Sequence, residues 1–467
     1  GCAILYVSKF FSKIDELKTL ETTCKKFSDT ISKLQNNPFP LNKKTVKYFS
    51  SLTTLNIWSE EDDFFGHNIF SNKKCSQEDA HSFLKINIWC DVSYSFTQMH
   101  KDSNISFKNV IFTKDDLEKY GTAIPPNVKR LGKQCFTTLT INKVDIPNSV
   151  SRIGDGCFSL CLSLSSVTLP SNLLTLGNYT FNNCNSLVSL QLPKSVSKIG
   201  ESCFLYCNSL TSVTLPDAIS DIPNNCFNNC VKLQTIEFPS KVRGIGLNCY
   251  NECYSLEKVH IPNCECFIGD FAFSNCSKLV EISIEGSAQK IGESCFENCD
   301  SLEVINLPQS VSVFGESCFN KCANLIKIVL PTSLKALPNY CFRLCSKIKE
   351  IQIPSGVSNI GDYCFSECAK LENVLIPKSV SDIGEGCCYH CESLKTLEIP
   401  RNVKIIKTKC FSGCTSLDIT VPSTVTSVGK NAFEKEKKGT SKLVSYCQIL
   451  AMYNTILIDF TINNDAV

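Results

Sequence analysis

The feature that most constrains this chain is a 23-residue period, which runs through most of its 467 residues. A proline preceded by an aliphatic or aromatic residue marks each step, at Pro147, Pro170, Pro193, Pro216, Pro239, Pro262, Pro308, Pro331, Pro354, Pro377 and Pro400. Glu285 fills the skipped place, and Pro125 and Pro422 extend the series with steps of 22 residues. Since one unit of this length cannot bury its own apolar side chains, the period predicts stacked units that form a solenoid.

The unit Ser209–Lys232 illustrates the local pattern. Its apolar positions are Leu210, Val213, Leu215, Ile219 and Ile222. The alternation of Val and Leu before Pro216 indicates a strand with one buried face, which ends at the proline because that residue lacks an N–H. The Gly or Pro after the second isoleucine indicates a turn. Cys226 and Cys230 follow at a spacing that predicts one side of a short helical turn.

The residues of this unit carry a family resemblance. The consensus C-x-x-L-x-x-V-x-L-P-x-x-V-x-x-I-G-x-x-C/A-F resembles the BspA-type (Treponema-type) leucine-rich repeat, over roughly Ile124 to Phe433. Two units have the family's more usual Ala-Phe pair, at Ala272-Phe273 and Ala432-Phe433. The resemblance implies a leucine-rich repeat solenoid with a parallel β-sheet on the concave face and short helical or 3-10 turns on the convex side. It also implies protein recognition or adhesion rather than catalysis.

The period divides the chain into three parts. Residues 113–433 form the predicted solenoid of about 14 units, and residues 434–467 a charged linker and a C-terminal tail. We expect this tail to be a cap helix, a disordered tail or a poor membrane segment. The candidate span from 443 to 462 is interrupted by polar residues and an Asp, so no clear membrane segment is predicted.

Residues 1–112 do not follow the period, and we expect them to form a small α/β cap region. Apolar residues at helical spacing in Ile4–Leu34 indicate one or two amphipathic helices, which the prolines after Asn37 terminate. Leu52–Trp58 and Phe83–Val92 are typical of strands. The segment 7–40 resembles the short helical region that precedes these repeats in BspA-type proteins of some protists, and loosely an F-box. The region is therefore predicted to be either a cap that seals the first repeat or an adaptor for a partner.

The 31 cysteines fall mostly into two series that follow the period. The first cysteine position precedes the Phe position and is occupied at 135, 157, 203, 226, 249, 295, 318, 341, 364, 387 and 410. The second lies four residues later, at 161, 184, 207, 230, 253, 276, 299, 322, 345, 368, 391 and 414. Ala272, Ala432 and Thr180 replace Cys at the first position. We therefore interpret most cysteines as small apolar core residues.

Two chemical alternatives for the cysteines are weaker. A disulfide ladder would need shorter separations than an i,i+4 pair or stacked units provide. A metal site would need ligand pairs that these series do not contain. In the run Cys387-Cys388-Tyr389-His390-Cys391, the outer cysteines occupy the two repeat positions and Cys388 takes the Phe position. Cys264 and Cys266 lie outside both series, so a local slip of the repeat is predicted there.

The sequence gives no support for an enzyme or for a cofactor. The net charge of +2 argues against nucleic acid or an anionic membrane as the main partner, since both require a basic excess. None of the five His residues has the context of a Ser or Cys nucleophile, and the Ile-Gly pairs are spaced for turns rather than for a phosphate loop. A protein partner is therefore expected.

The expected binding surface is the concave sheet, where the residues that flank the buried Val point to solvent. Most of these residues are polar. One stretch also contains exposed apolar residues, and its members are Val304, Asn306, Lys327, Val329, Glu350, Gln352, Asn373 and Leu375. Exposed apolar groups with polar neighbours are typical of interfaces, so this stretch is the predicted partner-binding site.

The sequence therefore predicts a non-enzymatic scaffold that binds a protein partner on its leucine-rich repeat face. The alternatives are a cell-surface adhesin that binds a host or matrix protein, which the resemblance favours, and an F-box-like intracellular adaptor. Many unpaired thiols and the absence of a recognisable signal peptide favour an intracellular, cytoplasmic location over the cell surface.

Overall fold

The computed structural model of the chain describes residues 11–23, 25–67, 69–70, 82–101 and 103–435. They form two compact units. The N-terminal unit contains the described residues up to 135 together with 147–153, and the solenoid unit contains 136–146 and 154–435.

The N-terminal unit combines short helices with a parallel sheet. Its helices are α1 (Ile14–Thr23), α2 (Thr30–Lys33), α3 (Tyr94–Met99) and α4 (Lys114–Tyr120), with 3-10 helices at Lys25–Phe27 and Val46–Tyr48. Its strands are β1 (Thr54–Ile57), β2 (Lys85–Ser93), β3 (Ile105–Phe112), β4 (Arg130–Leu131) and β6 (Arg152–Ile153); the intervening β5 (Lys143–Asp145) belongs to the solenoid unit. They pair in parallel in the order β1-β2-β3-β4-β6.

The predictions for this region are largely confirmed. Helices α1 and α2 lie within the predicted helical stretch, of which residues 4–10 lie outside the described part of the chain. The last helix of that stretch ends at Lys33, before the prolines. Strands β1 and β2 match the two predicted strands. Leu17 and Ile31 of the helices are buried in the same apolar cluster as Ile57 and Ile88 of the strands, so helices and sheet share one core.

Most turns of the solenoid, here called coils, contribute one strand of the L-x-x-V-x-L pattern to a first parallel ladder. These strands are β5, β7 (Ser166–Thr168), β10 (Ser212–Thr214), β12 (Thr235–Glu237), β15 (Glu281–Gly286), β17 (Val304–Asn306), β19 (Lys327–Ile328), β21 (Glu350–Gln352), β23 (Asn373–Leu375) and β25 (Thr396–Leu397). Registered partners lie one period apart, as in Ser212↔Thr235. The parallel leucine-rich repeat solenoid is thus confirmed.

A second parallel ladder forms where the sequence pattern indicated only an apolar pair before a turn. It contains β8 (Thr175–Leu176), β9 (Lys198–Ile199), β11 (Asp221–Ile222), β13 (Val242–Ile245), β16 (Lys290–Ile291), β18 (Val313–Phe314), β20 (Ala336–Leu337), β22 (Asn359–Ile360), β24 (Asp382–Ile383), β26 (Ile405–Ile406) and β27 (Ser427–Val428). Its strands are short because the next residue is a Gly or Pro in most coils. At that position Gly200 has no room for a side chain, since a Cβ would lie 2.3 Å from the backbone N of Asn178.

The predicted local slip is confirmed at β14 (Lys258–Ile268), one strand that spans both ladders. Its pairing with β15 shifts register between Ile261 and Cys264, where β14 has one residue more than β15. Cys264 is buried there.

The segment with the two cysteine positions is not helical, which corrects the prediction of a helical turn. Ser202 and Tyr206 have φ of 54° and 59°, so left-handed residues interrupt any helix. The Phe204 N–H instead donates to the Cys226 carbonyl of the next coil at 2.9 Å. This side of the solenoid therefore consists of tight turns that hydrogen-bond from coil to coil.

The residues at the Phe position form a continuous column of stacked rings in the core. The column comprises Phe136, Phe158, Phe181, Phe204, Phe227, Tyr250, Phe273, Phe296, Phe319, Phe342 and Phe365. Neighbouring centroids are close, for example 5.1 Å between Phe204 and Phe227. Cys388 occupies the next Phe position, as predicted, and interrupts the column before Phe411 and Phe433, which stack on each other.

Candidate protein-binding surface

The outward side chains of the first ladder form the surface that the sequence singled out, here called the sheet face. In β17, Ile305 is buried while its neighbours Val304 and Asn306 are exposed. The same alternation recurs in β10 and β21, where it holds the buried residue against the core and leaves the flanking residues exposed. The sheet face therefore carries residues whose identity the core does not dictate.

All three apolar residues of the predicted site are open to solvent. The relative exposure of Val304 is 45%, that of Val329 is 61% and that of Leu375 is 52%. Side chains this exposed contribute little to the core and present apolar area that a partner could cover.

The ladder brings the eight predicted residues onto four consecutive coils. Val304 is registered with Lys327, and Val329 follows the end of strand β19. One coil further, the two pairs Glu350↔Asn373 and Gln352↔Leu375 are in register between β21 and β23. Asn306 completes β17. The predicted residues thus form one continuous part of the sheet face.

Two further apolar residues, which were not predicted from the sequence, border this surface. Val280 and Ile326 are 38% and 50% exposed, and each follows the first leucine of its unit. The Val280 carbonyl accepts a hydrogen bond from the Val304 N–H at 3.3 Å, which places it at the edge where the strands begin. Because our pattern treated only the residues beside the buried Val as outward-facing, this position was overlooked.

At the Leu375 end, the sheet face contains a depression of about 530 Å³. Its lining includes three predicted residues, Glu350, Asn373 and Leu375, and further Thr396, Glu398, Asp418 and Thr420. Thr396 donates a hydrogen bond to the Asn373 side chain at 3.0 Å. Three carboxylates and no basic side chain line the depression, so it is acidic and suited to a basic group.

Charges elsewhere on the sheet face are partly paired. Lys258 lies 3.3 Å from Glu281, and Lys395 lies 2.5 Å from Glu372. Within the described residues, Lys327 has no ion pair within 4.0 Å. Its ammonium group therefore remains available beside the apolar residues.

Both cysteine positions are buried, as predicted, but the second has a further role that the sequence did not reveal. All twelve thiols at that position donate to the main-chain carbonyl at the Phe position of the preceding coil, at 3.0–3.3 Å. Cys230, for example, donates to Phe204 O at 3.2 Å. The need for a hydrogen-bond donor explains why Ala occurs only at the first position.

Burial also suppresses ionisation of these thiols. It raises the pKa of Cys203 to about 12, and desolvation by the apolar core is the main cause. Within the described residues, no group of three or more His, Cys, Asp or Glu side chains is arranged to hold a metal ion. The described helices include none that is both long and apolar enough to cross a membrane.

Stacked coils with two parallel ladders and an apolar column define a leucine-rich repeat solenoid. The chain belongs to the BspA type leucine-rich repeat family, because that family's model matches residues 105–233, 198–326 and 313–440. Among the curated proteins compared with this chain, none matches.

Several solved structures are similar to this chain. A leucine-rich repeat protein from Bacteroides ovatus is 23% identical with a TM-score of 0.45, and the match covers 66% of this chain and 91% of that one. A leucine rich cell surface protein from Faecalibacterium prausnitzii is 24% identical with a TM-score of 0.39, covering 67% and 87%. The leucine-rich repeat protein of T. pallidum is 22% identical with a TM-score of 0.28, covering 46% and 77%.

Proposed function

We propose that this protein is a non-enzymatic recognition scaffold that binds a protein partner on the sheet face around Val304, Val329 and Leu375. The observation that carries the proposal is the exposed apolar area of these three side chains, which lie on three of four consecutive coils among polar and charged neighbours. Solenoids characteristically bind partners on such extended faces. An apolar centre with a polar rim is also the usual composition of a protein interface.

The energetic contribution of the apolar residues is sufficient for a specific contact. Complete burial of a Val or Leu side chain contributes about 1.5–3 kcal/mol, and these side chains are about half exposed. Covering Val304, Val329 and Leu375 would therefore contribute about 2–4 kcal/mol in total. Lys327 and the acidic depression would add orientation rather than much affinity, because rim charges mainly affect specificity and association rate.

The test compares Val304→Asp/Val329→Asp with a matched control, Val188→Asp/Ser212→Asp. The control adds two carboxylates on coils outside the proposed site, at an exposed Val and at an outward strand residue. Partners are identified by crosslinking and quantitative mass spectrometry with the wild-type chain, and affinities are then measured with the purified partner. We expect at least tenfold weaker binding for the first variant and unchanged binding for the control. Equal binding by both variants would refute the proposal.

We also propose that the protein functions in a reducing compartment. The support is the series of core thiols that donate hydrogen bonds, since each of these bonds requires the reduced S–H group. The test is a thiol titration of protein from its native source in denaturant, with and without reductant. Equal counts support the proposal, whereas a large increase on reduction would favour the cell surface instead.

A further inference from the structure

The N-terminal unit has a second exposed feature that the solenoid does not explain. Trp58 and Trp89 are the only tryptophans in the sequence, and both lie at its surface. Their rings stack with centroids 5.2 Å apart and planes at 18°, while 37% and 38% of these residues remain exposed. Tryptophan is usually well buried, and exposed Trp is enriched among residues that dominate binding energies.

The pair is held in place by strand register. Asn56-Ile57-Trp58 and Asn87-Ile88-Trp89 repeat the same three residues, and Asn56↔Asn87 and Ile57↔Ile88 are registered between β1 and β2. The Trp89 Nε1–H donates to Asn56 Oδ1 at 3.2 Å, which fixes the ring plane. The two isoleucines are fully buried, so the alternation directs both indoles outward.

An acidic turn follows the first tryptophan directly. Residues 60–63 are Glu-Glu-Asp-Asp, and Asp62 Oδ2 accepts the Trp58 N–H at 2.7 Å, so the turn is tied to the tryptophan. Asp91 lies two residues after Trp89 and is paired with Arg130. Burial, assisted by the charges of Glu60, Asp62 and Asp91, raises the pKa of the intervening Cys90 thiol to about 11. Glu60 and Asp62 therefore create a negative potential beside the indoles, whereas Arg130 offsets the charge of Asp91.

We propose that this tryptophan surface, formed by Trp58, Trp89 and the turn 60–63, docks an arginine-bearing segment of a protein partner. A guanidinium group is planar, stacks on the face of an indole and at the same time donates hydrogen bonds to carboxylates. The exposed indoles supply the stacking face, and the acidic turn supplies the complementary charge. Lysine fits less well, because its ammonium group is a strongly hydrated point charge without a plane. No residue of this surface belongs to the sheet face, so the two proposals can fail independently.

The two tryptophans also make the test direct, since all Trp fluorescence of the chain arises at the proposed site. The full chain is titrated at low salt with the peptide acetyl-Arg-Ser-Arg-Ser-Arg-amide. Its citrulline analogue keeps the shape of arginine without the charge, and its lysine analogue keeps the charge without the plane. We expect a saturable change in emission with the arginine peptide, at least tenfold weaker binding of the citrulline peptide and about threefold weaker binding of the lysine peptide.

Variants separate the two halves of the site. Trp58→Ala should weaken binding of the arginine peptide about five- to tenfold, and the fluorescence of Trp89 still reports the binding. Glu60→Gln/Glu61→Gln should weaken binding of the arginine peptide by a similar factor. The matched control Asp115→Asn/Glu118→Gln on α4 should leave this binding unchanged. Val304→Asp/Val329→Asp should also leave this titration unchanged, so that failure here is distinguishable from failure of the sheet-face proposal. Each variant is first checked for an unchanged far-UV spectrum.

Three outcomes would overturn the inference. In the first, the arginine peptide causes no saturable change in fluorescence. In the second, the arginine, lysine and citrulline peptides bind equally, which would exclude a guanidinium site. In the third, a neutral trisaccharide of N-acetylglucosamine changes the emission and the arginine peptide does not, which would identify a sugar-stacking surface instead.

Discussion

Raising the pH from about 7 to about 9 should lower the free energy of unfolding of the solenoid by about 8 kcal/mol. Apart from the hydrogen-bonded neighbours Cys387 and Cys388, burial raises the pKa of nineteen solenoid thiols above their ordinary 9.0. A thiol whose pKa is higher in the folded chain stabilises the fold fully below the unfolded pKa, and this contribution is lost as the pH rises. At pH 9 half of the thiols of the unfolded chain are ionised. This ionisation stabilises the unfolded chain, and it lowers the free energy of unfolding by about 0.4 kcal/mol for each thiol that is buried in the fold.

The expected loss is comparable with the whole stability of a typical domain, about 5–15 kcal/mol. The assay is urea unfolding at pH 7, 8 and 9, followed by far-UV circular dichroism with a phosphine reductant present. Circular dichroism is needed because both tryptophans lie in the N-terminal unit. The urea midpoint should fall only slightly between pH 7 and 8 and steeply between pH 8 and 9, since thiol ionisation begins close to the unfolded pKa.

A variant tests whether the thiols cause this loss. Replacing Cys203, Cys226, Cys249 and Cys295 by Ala uses the residue that the chain itself has at 272 and 432. These four are about a fifth of the shifted thiols. Between pH 7 and 9, the free energy of unfolding of the variant should therefore fall by about 1.6 kcal/mol less than that of the wild type. An unchanged midpoint in the wild type, or the same pH dependence in the variant, would refute the reasoning.

Three further predictions concern individual positions. Cys230→Ala should cost about 0.5–1 kcal/mol more in urea unfolding than Cys226→Ala, because only Cys230 loses the bond to the Phe204 carbonyl; equal costs would contradict this role. Gly200→Ala should lower the free energy of unfolding by about 1–3 kcal/mol, because its Cβ would overlap the Asn178 backbone. A calorimetric Tm equal to that of the wild type would argue against such crowding. Alkylation of half-buried Cys90 by iodoacetamide should accelerate about tenfold per pH unit between pH 8 and 10, since its pKa of about 11 keeps the thiolate scarce; a flat mass-spectrometric rate profile would contradict this.

The first ladder could be predicted because its evidence repeats in every unit. Val213 and Leu215 alternate before a proline, and that pattern is compatible only with a strand of defined ends. The second ladder could not be recognised in the same way. A strand of two residues, such as Asp221–Ile222, is too short to show alternation, and two isoleucines three residues apart are equally compatible with a helical turn.

The two candidate surfaces also differ in whether they could be predicted from the sequence. Exposure of Val304 and Val329 followed from strand alternation once the register was known. The tryptophan pair was missed because Asn-Ile-Trp recurs after 31 residues, which is outside the 23-residue period. Its significance depends on parallel pairing of β1 with β2, and only the structure reveals that pairing. The thiol hydrogen bonds were missed because a buried cysteine is equally well explained by its size.

The arrangement of this core makes the recognition proposals testable without loss of the fold. Coil-to-coil hydrogen bonds, the aromatic column and the thiols of the second position all lie on the inner side of the ladders or in the turns. The side chains of Val304 and Val329 contribute little to any of these contacts, and substitutions at exposed strand positions change stability by about 1 kcal/mol or less. Loss of binding in Val304→Asp/Val329→Asp with a nearly unchanged urea midpoint would therefore locate recognition on the sheet face. Loss of both together would instead assign these residues to the stability of the solenoid.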